Sequence, residues 1–325
     1  MLNQKYYQDI KRFPSQFQEG LDLVRNLNID GEFKRVMVCG VGGSSLYVEL
    51  INNYLEATGE IQIEVSRSYS IPKDQRDDTL FVIASYSGNT EETISCFEQV
   101  KLRGYKSVIL TSGGKLNQLA SEKSLPIIKL PTGIQPRLAT GYIIGALVKL
   151  LSNLNLISDK EKEILSMAKK IEATLDEDKT KDLALRIKGK VPIIYSTENN
   201  FSIARISKIK FNENAKTQAF WNFFPELNHN EMVGFTNLVM KPFFIIFKSK
   251  FTHERNHKRI EIFKKITQGL GAEVEVLDMV GENVLEEMIN AYYFIDHVTF
   301  YLAEAYGIDP EPVEMVEQFK QLLNQ

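Results

Sequence analysis

The chain has 325 residues, 43% hydrophobic and 25% charged, enough at roughly 150 residues per domain for about two domains with a sizeable buried core. Its 39 Lys plus Arg against 42 Asp plus Glu leave a formal charge of −3, without the basic excess of a nucleic-acid binder, and the composition excludes collagen, disordered tails and disulfide-held mini-scaffolds. The 2 cysteines, Cys39 and Cys96, lie in apolar settings without Cys-x-x-Cys spacing and read as buried thiols in a reducing compartment.

The first ten residues carry charge and no apolar core, and the longest apolar stretch, 238–247, is broken by Lys241. We therefore expect a cytoplasmic protein that does not span a membrane. The run Arg35-Val-Met-Val-Cys39 predicts a strand, followed by a glycine loop and a helix over 44–54. Further strands are expected at 61–65, 80–84, 107–110 and 126–130, with helices at 90–103 and 139–151, which is the alternation of a parallel sheet with flanking helices. A charged helical stretch over 158–190 opens with the capping box Ser158-Asp-Lys-Glu161, placing the division between a domain 1–152 and a domain 153–325. The second half repeats the alternation: strands at 191–195, 239–247 and 273–277, helices at 202–220, 254–268 and 284–306. No repeat of fixed period is present.

Two loops follow strands and open helices. The first is Gly40-Val-Gly42-Gly43-Ser44-Ser45, where glycines admit close backbone approach and the helix start offers N–H groups to an anion. A dinucleotide reading would need a third glycine where Ser45 stands, with Glu64 as the ribose-binding acid. The second is Ser85-Tyr86-Ser87-Gly88-Asn89-Thr90, with three serine or threonine hydroxyls, of which ordinary N-capping would use one. Together they favour a phosphorylated ligand.

Glu213 falls with Ile206, Ile209 and Phe220 on one predicted helix face; burial there would make it a better base, whereas at the stripe's edge it is a solvated glutamate. His229, one of 4 histidines, sits in the polar patch Asn228-His-Asn-Glu231 and reads as a surface residue or as a group whose ordinary pKa near ~6.5 suits proton exchange. Lys320 shares a C-terminal helix face with Val313, Val316 and Leu323, snorkelling or functional. Arg137, in Pro131-Thr-Gly-Ile-Gln-Pro-Arg137, is either a surface arginine or a cation for a developing oxyanion. His253-Glu254-Arg255-Asn256-His257 matches the H-E-x-x-H zinc signature, but its charged surroundings and the want of a third ligand favour a solvated helix start, so no metal or other cofactor is expected.

The two loops resemble those of the sugar isomerase (SIS) domain, and Asn212-Glu-Asn-Ala-Lys216 with Pro225-Glu-Leu-Asn-His-Asn-Glu231 resemble the bifunctional phosphoglucose/phosphomannose isomerases over about residues 30–325. That resemblance implies an α/β fold of two SIS-type, flavodoxin-like α/β/α sandwiches with mainly parallel sheets. It implies a hexose 6-phosphate as substrate, Gly43, Ser44, Ser85, Ser87 and Thr90 around the phosphate, and Glu213 as the base between C1 and C2. It further implies His229 in ring opening at the site of a dimer partner, and Lys320 and Arg137 on the sugar. A phosphosugar sensor without turnover is the alternative; it would not require Glu213 with His229.

Overall fold

The computed structural model describes residues 2–323. The chain packs as two compact units, residues 12–172 in one and, in the other, the residues up to 11 joined with those from 173 onward. This differs from a 1–152 and 153–325 division at both edges, for identifiable reasons. The first helix, α1 (Gln4–Lys11), lays Tyr7 against Phe300 and Tyr301, with ring centroids 5.0 and 6.2 Å apart. At the other edge Glu161 is held by Lys149 (2.6 Å) and Arg25 (3.1 Å), and Glu163 accepts the Tyr54 hydroxyl (2.6 Å), which ties the segment after 153 to the first unit.

Within 12–172 the order is α2 (Phe13–Asp22), β1 (Arg35–Cys39), α3 (Gly43–Ala57), β2 (Ile63–Ser66), β3 (Thr79–Ala84), α4 (Glu91–Leu102), β4 (Ser107–Thr111), α5 (Gly114–Glu122), β5 (Ile127–Lys129), α6 (Thr140–Asn153) and α7 (Glu161–Thr174). The five strands are all parallel, in the order β2-β1-β3-β4-β5. All residues of β3 and β4 are buried, as expected of central strands covered on both faces by crossover helices. Helices α2 and α6 meet backbone to backbone through glycine: a Cβ on Gly20 would stand 2.3 Å from the Tyr142 carbonyl oxygen. Cys39 and Cys96 are unbridged and share the core beside Phe81 and Phe97. The expected Ser158 capping box does not form. Ser158 donates to Glu60 (2.7 Å), and Asp159 accepts the Glu161 N–H (2.9 Å).

The remaining elements are α8 (Glu177–Ile187), β6 (Val191–Thr197), α9 (Phe201–Glu213), β7 (Phe220–Phe224), β8 (Pro242–Lys248), α10 (Glu254–Gly269), β9 (Glu273–Asp278), α11 (Val284–Tyr306) and α12 (Glu314–Leu323). Their four strands are again parallel, ordered β7-β6-β8-β9. Tyr195, Phe224, Phe244 and Phe263 interlock edge to face at the centre, Phe244 and Phe263 with centroids 5.2 Å apart. No helix among the described residues is long and apolar enough to cross a membrane.

The helix predicted over 202–220 stops at Glu213, and Phe220 opens a strand instead. Its buried face is Ile203, Ile206, Ser207, Lys210 and Phe211, so Glu213 lies half-buried beside the stripe rather than on it, and Phe220 is exposed. The six residues between helix and strand turn the chain through a left-handed Lys216 (φ +52°), with the Thr217 N–H returning to the Phe211 carbonyl (3.2 Å).

Candidate functional site

Strand β1 leads outward to β2 on one side and β3 leads to β4 on the other, so the C-terminal ends of β1 and β3 form the switch point of the first sheet, the place where open α/β sheets hold ligands. Both hydroxyl-rich loops lie there. Gly40 is pressed against β3, since a Cβ would be 2.7 Å from the Ala84 carbonyl oxygen, and Gly42 turns into α3 at φ +59°. Ser44 Oγ accepts the Tyr86 N–H (3.1 Å), joining the two loops directly. Ser85 Oγ meets Thr90 Oγ1 (2.8 Å) and accepts the Gly88 N–H (3.0 Å). Gly88 sits at φ +72°, and a Cβ there would fall 1.8 Å from the Gly113 carbonyl oxygen, so only glycine fits.

Ser87 is exposed, its Oγ accepting the Asn89 N–H at 3.2 Å. Neither Gly42 nor Thr90, the residues that begin α3 and α4, caps its helix with a side-chain bond. Thr90 therefore does not do the ordinary N-capping considered above, and neither helix start is capped by its own N-cap side chain.

The short 3-10 turn Pro136–Leu138 rests on this loop; a Cβ on Gly43 would be 3.6 Å from the Arg137 nitrogen. Arg137 is only 4% exposed, and its Nη1 donates to Gln135 (3.2 Å). A surface arginine is thereby ruled out. A second cation that sequence reading passed over, Arg67, donates to Ser45 Oγ (3.1 Å) and to Glu49 (2.5 Å). Its only signal was its place one residue beyond β2, beside the first loop.

In the other unit, Glu213 ends α9. The next residue, Asn214, is fully buried: its Oδ1 accepts the Tyr6 hydroxyl (2.7 Å) and its Nδ2 donates to Thr299 (2.9 Å). One turn earlier Lys210 pairs with Asp296 (2.6 Å), both side chains 2% exposed. Lys320 is 58% exposed and pairs with Glu317 (2.7 Å). Helix α12 buries none of its residues, so the apolar face expected around Lys320 exists but is uncovered in the single chain.

His229 is exposed in a 3-10 turn, Glu226–His229, that follows β7. Its loop is well anchored: Glu231 accepts from the Tyr195 hydroxyl and from Asn222 (2.5 Å), and Asn228 accepts from Arg259 (3.2 Å). Glu213 stands before β7 and His229 after it. Five residues at about 3.3 Å each put roughly 16 Å of strand between the two ends. Glu213 and His229 thus lie on opposite sides of β7 along the chain.

The zinc-like motif is occupied by structural roles. His253 Nδ1 accepts the Arg255 N–H (3.1 Å), capping α10, and His257 Nε2 donates to the Ser249 carbonyl (2.9 Å). Among the described residues no three His, Cys, Asp or Glu side chains come together as a metal site.

Residues 32–136 match the SIS domain, and residues 176–323 match the bacterial phospho-glucose isomerase C-terminal SIS domain. Two parallel sheets of this kind, with paired hydroxyl-rich loops at a switch point, define an SIS-domain protein. A hypothetical protein from Thermus thermophilus shares the fold, with a TM-score of 0.80 at 14% identity over 99% of this chain and 90% of that one. The bifunctional phosphoglucose/phosphomannose isomerase of Caldicellulosiruptor bescii is 32% identical and that of Aquifex aeolicus 33%, each over 98% of both chains. The chain belongs to the bifunctional phosphoglucose/phosphomannose isomerase family.

Proposed function

We propose that the protein interconverts glucose 6-phosphate and mannose 6-phosphate with fructose 6-phosphate. What carries the reading is the extent of the family match: at 98% coverage it takes in the phosphate-type loops and the Glu213 segment alike. A phosphosugar sensor would need only the loops.

Ser44, Ser85, Ser87 and Thr90, with Gly43 and the first-turn N–H groups of α3 and α4, hold the phosphate; hydroxyls already fixed by one another are aimed without further loss of side-chain entropy. Glu213 takes the C2 proton of the open-chain aldose. The electron pair moves to the carbonyl, giving an enediolate with its charge on O1; the O2 proton passes to O1 and the carbon proton returns at C1, leaving the C2 carbonyl of the ketose. Aldose and ketose are isomers, so no net atom or electron is exchanged and no cofactor is called for. The buried Arg137 guanidinium stabilises the enediolate oxygen. Lys320 and His229 serve ring opening, with His229 supplied by a second copy of the chain, in keeping with its placement beyond the far end of β7 from Glu213. The protein works as a homodimer in the cytoplasm.

The two epimers share one site because removal of the C2 proton makes C2 planar in both. A coupled assay for fructose 6-phosphate, started separately from glucose 6-phosphate and mannose 6-phosphate, tests this. Turnover of both is expected; binding of either without turnover overturns the reading in favour of a sensor.

A further inference from the structure

Helix α9 ends at Glu213 with Asn214 as a right-handed cap, and the chain turns left-handed only at Lys216, a residue type that disfavours that conformation. Helices close through a left-handed residue that is usually glycine, because a side chain there crowds the backbone. Here the left-handed position is Lys216, at φ +52°, three residues past Glu213. Its side chain turns back so that Nζ donates to the carbonyl of Glu213 itself and, at 3.1 Å, to the carbonyl of Pro310. Pro310 lies in the turn between α11 and α12, the helix that bears Lys320.

The other polar side chains of the segment are also spent on holding it. Asn212 donates to the Thr217 carbonyl (2.8 Å), and Asn214 is locked between Tyr6 and Thr299. Asn214 and Ala215 are completely buried, which fixes the chain on one side of the turn; Lys216 is exposed and fixes it on the other. A cation at a helix C-terminus also meets the partial negative charge of the last carbonyls.

We infer that Lys216 is a positioning residue for the isomerisation: its ammonium clamps the peptide carbonyl of Glu213 to the turn preceding α12, setting the direction of the Glu213 carboxylate and its register with the Lys320 helix. The strained backbone is kept because only a long cationic side chain at that position reaches both carbonyls. This rests on Glu213 as the base.

The test separates backbone from clamp. Lys216→Gly suits the left-handed conformation better than lysine and removes the clamp. Its thermal midpoint should equal or exceed that of the wild type, while kcat from glucose 6-phosphate falls ~10- to 100-fold, the effect of a small misplacement of a reacting group, and KM changes little. Lys216→Met keeps stem and strain without the ammonium and should show the same kcat loss, and Lys216→Arg should recover most of it. Wild-type kcat in Lys216→Gly, or a kcat loss matched by equal loss of affinity for a six-carbon sugar-acid phosphate, overturns the inference. A wild-type protein that turns over neither hexose phosphate overturns instead the isomerase reading on which it rests.

Discussion

The residue on which the proposed chemistry depends most is Glu213, and amide substitution tests it cleanly, because Glu213→Gln preserves size and polarity while removing the base. We expect kcat to fall roughly 10²- to 10⁴-fold for glucose and mannose 6-phosphate alike, with inhibitor binding retained. Loss with one epimer only would mean that two bases are at work. In the proposed phosphate loops the hydroxyls are not equivalent. Ser44 and Ser85 hold the loops to each other and to themselves, whereas Ser87 is exposed and accepts only from Asn89. Ser87→Ala should therefore leave the fold intact and remove one charge-assisted bond, about 1.5 to 3 kcal/mol, seen in KM rather than kcat. A KM equal to that of the wild type would remove Ser87 from the site. The serines and Thr90 could be singled out from sequence because hydroxyl side chains clustered in loops after strands, and Glu213 because of its place on a helical pattern and the family-like segment Asn212-Glu-Asn-Ala-Lys216. Arg67 could not, since its nearness to Ser45 depends on β1 and β2 pairing across the residues between them.

At the scale of elements, the sequence was most legible where local pattern and tertiary environment agree. Strand β1 and helix α11 fall where the run 35–39 and the pattern 284–306 put them, the first as an apolar β-branched run and the second as a long helical pattern closed by Gly307 in a left-handed cap. Pattern failed at β7. Phe220 keeps the helical spacing of Ile206, Ile209 and Glu213 closely enough to read as part of the same helix, whereas the turn at Lys216 separates it from α9 and it opens a strand. Helix α8 offers a test of a different contact. Glu177, in its first turn, accepts from Tyr301 and Tyr7 and pairs with Lys181, and these bonds, the Tyr301 hydroxyl foremost, hold its carboxyl down at about 2 against an ordinary value of 4.5. A lowered carboxyl favours the folded state above pH 4.5 and loses that advantage as pH falls toward 2. Wild type should thus exceed Glu177→Gln in stability at pH 7, with the gap closing between pH 4.5 and 2 in a urea-unfolding series. A gap that does not change across that interval would mean the tyrosine bonds contribute nothing.

For the whole molecule, the arrangement of the proposed active groups makes a quantitative demand. If each site takes Glu213 from one chain and His229 from another, then Glu213→Gln and His229→Ala, each inactive alone, should restore one another when unfolded and refolded together. Random pairing gives half the dimers as hybrids, each with one intact site, so about a quarter of wild-type turnover should return, as the exchange of equivalent surfaces in a two-fold dimer requires. No recovery above the separate variants would place both groups in a single chain. The uncovered apolar side chains of α12, among them Met315 and Phe319, are the sort of surface a second copy would cover.

The pairing of the first helix with the eleventh also has a temporal side. Tyr6 and Tyr7 are made almost three hundred residues before the aromatic surface that receives them, Phe300 and Tyr301. At 5 to 20 residues per second the ribosome takes roughly 15 to 60 seconds to cover that distance. Throughout that interval α1 lacks the α11 aromatic surface, while residues 12 to 172, the whole of the other unit, are made before that surface is. Helix α1 can thus dock only once α11 has been made, and the bonds from Asn3 to Asp309 and Glu311, each 3.0 Å, hold it there.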